Sequence, residues 1–326
     1  MGRILCFGEA LIDMLALPPT HDGAARMFMQ NAGGAPANAA VAAARLGGDV
    51  HFIGMLGEDM FGDFLLDEMR AAGVGTEGIV RTGEAKTALA FVALDAKGER
   101  SFSFYRPPSA DLLFRDGDFD ARMFVDAAAL HVCSNSMTEP EIAETTLVGM
   151  RRAREAGAIV SFDMNLRPML WPADADPAPW LWQALALADV VKLSREELDY
   201  LVEASGRDDA TVVGRIWQGA TQLLVVTDGG KPVQWRTRQA SGAVPGFRVE
   251  VVDTTGAGDA FVAGMLHRFA QATAEDRLSA LAGDEAAIVE AMRFASAVGA
   301  LAVTRRGAFA AMPSLDDVHS LMQAQP

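Results

Sequence analysis

The chain has 326 residues, half of them apolar and 22% charged, with 31 Gly and 14 Pro, a globular composition long enough for one large domain or two modest ones. Lys and Arg number 28 against 43 Asp and Glu, a formal net charge of −15 that disfavours a protein required to neutralise many nucleic-acid phosphates. Glu9 and Asp13 interrupt the apolar opening segment, and no later apolar run reaches the roughly 18 residues of a membrane span, so neither a nucleic-acid nor a membrane partner is expected and the expected compartment is the cytoplasm.

Short apolar runs bounded by Gly, Asp or Ser recur at residues 4–8, 50–54, 130–134, 159–163, 190–193 and 223–227, the pattern of buried parallel strands. Helical patterns separate them. Pro36 opens one helix and Gly47 and Gly48 end it, while Phe61, Leu65 and Met69 give the next an apolar face. Residues 87–105 break the rhythm, with two extended runs joined by Asp95-Ala96-Lys97-Gly98, which predicts a hairpin outside the main sheet, suited to a lid, with an ordinary edge hairpin as the alternative. Thr138 and Glu141 have capping-box spacing ahead of a helix that Gly157 closes. An extended run over 247–252 leads through a Gly-rich turn to a helix with Phe261, Met265 and Phe269 on one face. This alternation predicts an α/β sheet covered on both faces. The two cysteines, Cys6 and Cys133, sit in apolar runs that suit small buried thiols and indicate no disulfide framework.

Two Gly-rich segments carry chemistry. In Asp253-Thr254-Thr255-Gly256-Ala257-Gly258-Asp259 the glycines let backbone N–H groups converge where the next helix begins, a setting that favours phosphate or a developing anion. Asp259 can cap that helix, and the same carboxylate beside a phosphoryl group can take a hydroxyl proton. The second segment, Asn31-Ala32-Gly33-Gly34-Ala35-Pro36-Ala37-Asn38, allows close ligand approach or tight small-residue packing, with Asn38 in the first turn of a helix. Residues 73–78 satisfy GxGxxG but follow a helix instead of a strand, and no GxxxxGK[ST] loop is present. The five histidines show no metal-ligand spacing.

Together, and in this order and separation, the two segments closely resemble the signature regions of the PfkB (ribokinase-like) carbohydrate kinase family, over essentially the whole chain. The resemblance implies an α/β, three-layer ribokinase-like core with a mostly parallel sheet, forming one domain over 1–326 with a small β lid at about 14–34 and 86–107. It implies ATP and Mg²⁺, K⁺ as a further ion, and a sugar acceptor, with Asp259 as the catalytic base and Gly256, Ala257 and Gly258 as the anion hole. Asp13, Gly33, Gly34 and Asn38 match sugar-binding positions, although Asp13 read alone can be a cap. Asn165, Ser194, Thr227, Asp228 and Gly229 fall on the nucleotide side with Gly256 and Gly258, although 225–230 read alone is a strand and a glycine turn. Glu197 matches a glutamate that handles Mg²⁺ through water; its family motif Asn-x-x-Glu reads Ser194-Arg195-Glu196-Glu197 here, and a solvated helix-face Glu is the other reading. Asp253, Thr255 and Gly307 match a K⁺ region. Relatives also suggest a homodimer through the lid.

The opening Gly8-Glu9-Ala10-Leu11-Ile12-Asp13, the stretch 102–106 and Asp163-Met164-Asn165-Leu166-Arg167 with Trp171 look most like bacterial fructokinases, which implies phosphorylation of fructose to fructose 6-phosphate. Tyr105 and Arg106 are expected to approach the sugar from the lid and Arg167 to reach phosphate or substrate; aromatic packing with surface cations is the alternative. Arg suits a carboxylate, so 2-keto-3-deoxygluconate is a competing substrate. A catalytically silent sugar-binding regulator and a nicotinamide oxidoreductase are the other readings.

Overall fold

The computed structural model describes residues 2–17, 25, 27–94, 100–272 and 283–326. Thirteen strands form among them: Arg3–Phe7 (β1), Leu11–Ala16 (β2), Phe28–Gly33 (β3), Val50–Gly57 (β4), Gly75–Thr82 (β5), Leu89–Leu94 (β6), Arg100–Tyr105 (β7), Ala127–Cys133 (β8), Ile159–Asp163 (β9), Val190–Ser194 (β10), Leu223–Thr227 (β11), Val233–Arg236 (β12) and Ser241–Val244 (β13). Nine make one sheet in the order β13-β12-β11-β10-β9-β8-β1-β4-β5, and β3-β2-β6-β7 make a second, smaller one. The large sheet is parallel from β5 through β11, and β12 and β13 continue it antiparallel.

Burial on both faces explains why the parallel strands are legible as uninterrupted apolar runs: every residue of β8 and β9 is buried. Along β1 the side chains alternate between two cores. Ile4 and Cys6 join Phe52 and the helices Ala35–Arg45 (α1), Ala257–Gln271 (α7) and Glu285–Ala302 (α8). Leu5 and Phe7 join Leu130, Phe162 and the helices Pro140–Glu155 (α3), Ala178–Leu187 (α4), Arg195–Ser205 (α5) and Asp209–Ile216 (α6). The Ala-rich run 39–43 of α1 is fully buried, its short side chains letting the helix lie close to α7 and the sheet.

Chain order locates the crevice. From β1 the chain moves outward through β4 and β5, then returns to β8 on the other side of β1, so β1 and β8 are neighbours whose onward connections diverge. In such sheets the gap beyond the strands' carboxyl ends is where ligands bind. Glu9 follows β1 there and Ser134 and Asn135 follow β8.

The small sheet contains the expected hairpin: β6 pairs antiparallel with β7, from Leu89 opposite Tyr105 to Leu94 opposite Arg100. The turn over 95–98 lies outside the described residues, as do 18–24 and 26 of the expected lid. Residues 247–252 depart from expectation, belonging to neither sheet. Val251 and Val252 are exposed, and the segment's backbone is satisfied without a strand partner: the Gln325 side chain accepts from Arg248 N and donates to Arg248 O, and the amides of Val252 and Asp253 donate to Val303 O. The expected Thr138 capping box is also absent. Pro140 at the first helical position makes Glu139 the N-cap, and the Thr138 hydroxyl accepts from Arg106 instead. Gly73 lies at φ 86 just beyond Met60–Ala71 (α2) and leads into β5, so GxGxxG here joins a helix to a strand. Both cysteines are free and buried, and among the described residues no helix is long and apolar enough to cross a membrane.

Candidate active site

Gly256 caps α7 in the left-handed region at φ 73, turning the chain so that the first amides of the helix face outward. Of the expected anion hole, Ala257 N is taken up by Thr254 O at 3.3 Å, whereas among the described residues the amides of Gly256, Gly258 and also Asp259 have no acceptor. Asp259, the third residue of the helix, is buried. Its Oδ2 accepts from Asn38 Nδ2 at 2.7 Å and its Oδ1 from Asn165 Nδ2 at 3.2 Å. Burial pushes its carboxyl up to about 7; the Asn38 bond opposes this, the charge of Asp163 adds to it, and Arg167 and Lys192 pull the other way.

Asn38 comes from the other Gly-rich segment. β3 ends at Gly33 and α1 starts at Ala35, so the chain must reverse at Gly34, which lies at φ 104. A methyl there would come within 2.5 Å of Glu9 O, and one at Gly33 within 2.5 Å of Asp13 Oδ2. The Asp13 carboxylate thus rests on the bare backbone of Gly33. A cavity bounded by Asp13 and Asn31 on the small sheet and by Asp253, Thr255 and Gly307 on the other side joins the two segments. Asp253 clamps the second wall, with Oδ1 accepting from Thr255 N at 2.9 Å and Oδ2 from Gly307 N at 3.2 Å.

The loop after β9 supplies the next wall. Asn165 sits at φ 37, its amide donating to Asp163 Oδ1 at 3.2 Å, and this turn aims its side chain at Asp259. Glu197 fixes the following residue. Its Oε1 accepts from Leu166 N at 2.9 Å and its Oε2 from Ser194 N at 2.7 Å, while Ser194 Oγ caps α5 by accepting from Glu197 N. A serine in place of the family's asparagine therefore performs the N-cap itself. Glu197 is buried, not a solvated helix-face residue, and desolvation holds its carboxyl above the usual range. Arg167 is exposed beside this loop, where its charge acts on Asp259. Thr227 ends β11, and Asp228, paired with Lys231 at 2.8 Å, and Gly229 at φ 52 form the turn that follows.

Arg106 is the clear correction. It follows the lid strand β7 but turns inward, with 2% of its side chain exposed. Nε donates to Asp111 Oδ2 at 2.8 Å, Nη1 to Thr138 Oγ1 at 3.1 Å and Nη2 to Asn135 O at 2.6 Å. A buried guanidinium requires such a countercharge, and Asp111 and Glu9 hold it charged against desolvation. Tyr105, by contrast, is exposed and meets Phe91 edge-on at 5.3 Å.

Three buried charges escaped sequence reasoning. Glu9 accepts from Ala35 N, Asn135 Nδ2 and Ser136 Oγ at 3.1–3.2 Å. Lys192 donates to both oxygens of Asp163 at 3.1 Å. The available signal was a lone charge in each of three buried stretches, 4–12, 159–163 and 190–193.

The profile of the pfkB family carbohydrate kinases matches residues 1–315. A fructokinase from Xylella fastidiosa, solved with bound ATP, is 62% identical with a TM-score of 0.95, covering 99% of this chain and 98% of its own. A double mutant of the fructokinase from Vibrio cholerae O395, in a fructose, ADP and potassium ion bound form, is 33% identical with a TM-score of 0.84, covering 98% of each chain. Fructokinase-1 of Oryza sativa subsp. japonica is 40% identical over 325 residues, 98% of each protein. With a family match over nearly its full length and its two Gly-rich segments meeting at one buried aspartate, this chain belongs to the pfkB family of carbohydrate kinases.

Proposed function

We propose that the chain is an ATP-dependent fructokinase that converts fructose to fructose 6-phosphate with Asp259 as general base. The observation that carries this reading is the Asp259 carboxylate, buried at the start of α7, held by two side-chain amides and raised to about 7. A base poised near neutrality suits the removal of a hydroxyl proton. The similarity to fructokinases from a bacterium and a plant supports fructose as the acceptor.

Asp13, Gly33, Gly34 and Asn38 hold the sugar beneath the small sheet, and closure of that sheet excludes water. ATP lies along Ser194 and the 227–229 turn, with Asn165 and Arg167 toward its phosphates. The amides of Gly258 and Asp259 take the γ-phosphoryl as charge builds on it, and the sugar oxygen attacks in line as its proton passes to Asp259.

Among the described residues no three His, Cys, Asp or Glu side chains group to hold a metal. Mg²⁺ typically keeps several waters and binds through one or two carboxylates plus phosphates, so the buried carboxylate of Glu197 fits an ion that arrives with the nucleotide. When bound, that ion neutralises phosphate charge. Asp253 and Thr255 are the residues proposed near K⁺. A homodimer through the small sheet completes the proposal, since Phe28, Phe91 and Tyr105 form an aromatic row across it and Met27, Phe28, Met29 and Tyr105 are exposed.

Arg106 and Arg167 are the two cations suited to the carboxylate of 2-keto-3-deoxygluconate. Asp111 neutralises one of them, which favours fructose. An ADP-release assay across a sugar panel, with the phosphorylated position determined, tests the choice. Fructose is expected as the preferred acceptor, phosphorylated at O6; preference for the keto acid, or no ADP release with any sugar, overturns the reading.

A further inference from the structure

Lys192 is the charged residue of a strand otherwise built of Val, Leu and a terminal Ser. It stands in register with Asp163 on the adjacent parallel strand, and its Nζ donates to both Asp163 oxygens at 3.1 Å. Only 7% of its side chain is exposed. An ammonium has three N–H groups; Asp163 supplies two acceptor atoms, and among the described residues no further acceptor meets Nζ.

The other side of the ammonium faces α7. A methyl on Gly258 would come within 3.2 Å of Nζ and would touch nothing else within 4 Å. A cation therefore lies against the second residue of a helix whose positive end is turned the same way, beside two of the amides that lack acceptors. Like-signed groups converge in a buried place only at a cost, unless an anion comes between them. Against a desolvation that would otherwise discharge it, Asp163, Glu197 and the Asp259 carboxylate at that same helix start hold the ammonium charged, while its third N–H is left toward the acceptor-less amides.

We propose that Lys192 is a catalytic residue whose ammonium takes an oxygen of the transferring phosphoryl group alongside the amides of Gly258 and Asp259. This rests on the kinase reading above. In the step it serves, a bond forms between the sugar oxygen and the γ-phosphorus and the bond from that phosphorus to the β,γ-bridging oxygen breaks. The hydroxyl proton passes to Asp259, ADP carries away the electron pair of the broken bond, and Lys192 remains protonated throughout. Its contribution grows with the charge on the equatorial oxygens, so it belongs to the transition state more than to either ground state.

Turnover of fructose and ATP by the wild-type enzyme reports on the kinase reading; Lys192→Met in that active enzyme reports on the lysine. The variant should lose about 10²-fold or more in kcat while the fructose KM and the ADP affinity stay within about threefold. Aluminium fluoride, which with ADP and fructose mimics the transferring phosphoryl, should tighten ADP binding to the wild type and fail to do so in the variant. Because a single change strands a buried carboxylate, Lys192→Met/Asp163→Asn is the companion: thermal stability should recover toward wild type and kcat should not. A kcat within about threefold of wild type in either variant, or undiminished tightening by aluminium fluoride, overturns the proposal.

Discussion

Asp259→Asn separates what the proposed base does for the chemistry from what its burial costs the fold. Its carboxyl titrates at about 7 in place of 3.8, chiefly because burial disfavours the charged form. A pKa raised by folding means that stability from this group is complete below 3.8 and is lost as pH rises through 7. Above pH 7 the ionised carboxylate costs the folded state about 4 kcal/mol, at about 1.4 kcal/mol per pH unit across that gap. Asparagine carries no such charge, and the site can accept it. Asn38 Oδ1 is buried without a partner, so turning that amide over sets Oδ1 against the new NH₂ while Asn165 still donates to the remaining oxygen. Denaturation of both proteins at pH 8, 5.5 and 4 should show the variant more stable by up to about 4 kcal/mol, then by about 2, then by nearly nothing. Its kcat should fall by about 10² to 10⁴, and wild-type kcat/KM should rise with pH through about 7 in one proton step. A variant no more stable than wild type at pH 8, or a stability gap indifferent to pH, refutes the reasoning.

Gly33→Ala places a methyl 2.5 Å from Asp13 Oδ2 and should raise the fructose KM by about tenfold or more with the ATP KM little changed; steady-state kinetics in both substrates decide it. Arg106→Met leaves Asp111 and Glu9 buried without their cation and should cost about 3–5 kcal/mol in a denaturant titration.

The parts of this molecule legible in its sequence are those where one local pattern has one physical cause. Strands β1, β4, β8, β9, β10 and β11 read as apolar runs because both faces are covered. The resemblance implied a sugar-binding role for Asn38 and a base at Asp259, and each half has its own local sign in glycines beside a helix start; the hydrogen bond that joins them is visible only in the fold. What stayed hidden depends on partners distant in the chain. Nothing near Arg106 announces that Asn135 and Thr138 will receive its guanidinium, so a position between aromatics and Pro107 reads as a lid surface. Lys192 and Asp163 are 29 residues apart and become neighbours only through strand register. The four-residue strands β12 and β13 are too short to carry a period, and the exposed valines of 247–252 imitate one.

The junctions of the small sheet share one anchor. Glu9, leading into β2, holds the amide of Ala35 just beyond β3 as well as Asn135 and Ser136; Arg106, leaving β7, grips Asn135 and Thr138. Residues 134–138 are thus the socket that receives Glu9 and Arg106 directly and ties in the stretch at Ala35 through Glu9. A chimera that swaps the small sheet for a relative's while keeping this chain's own 134–138 must match Glu9 and Arg106 at once, so sheet and socket are expected to be inherited and exchanged as one module.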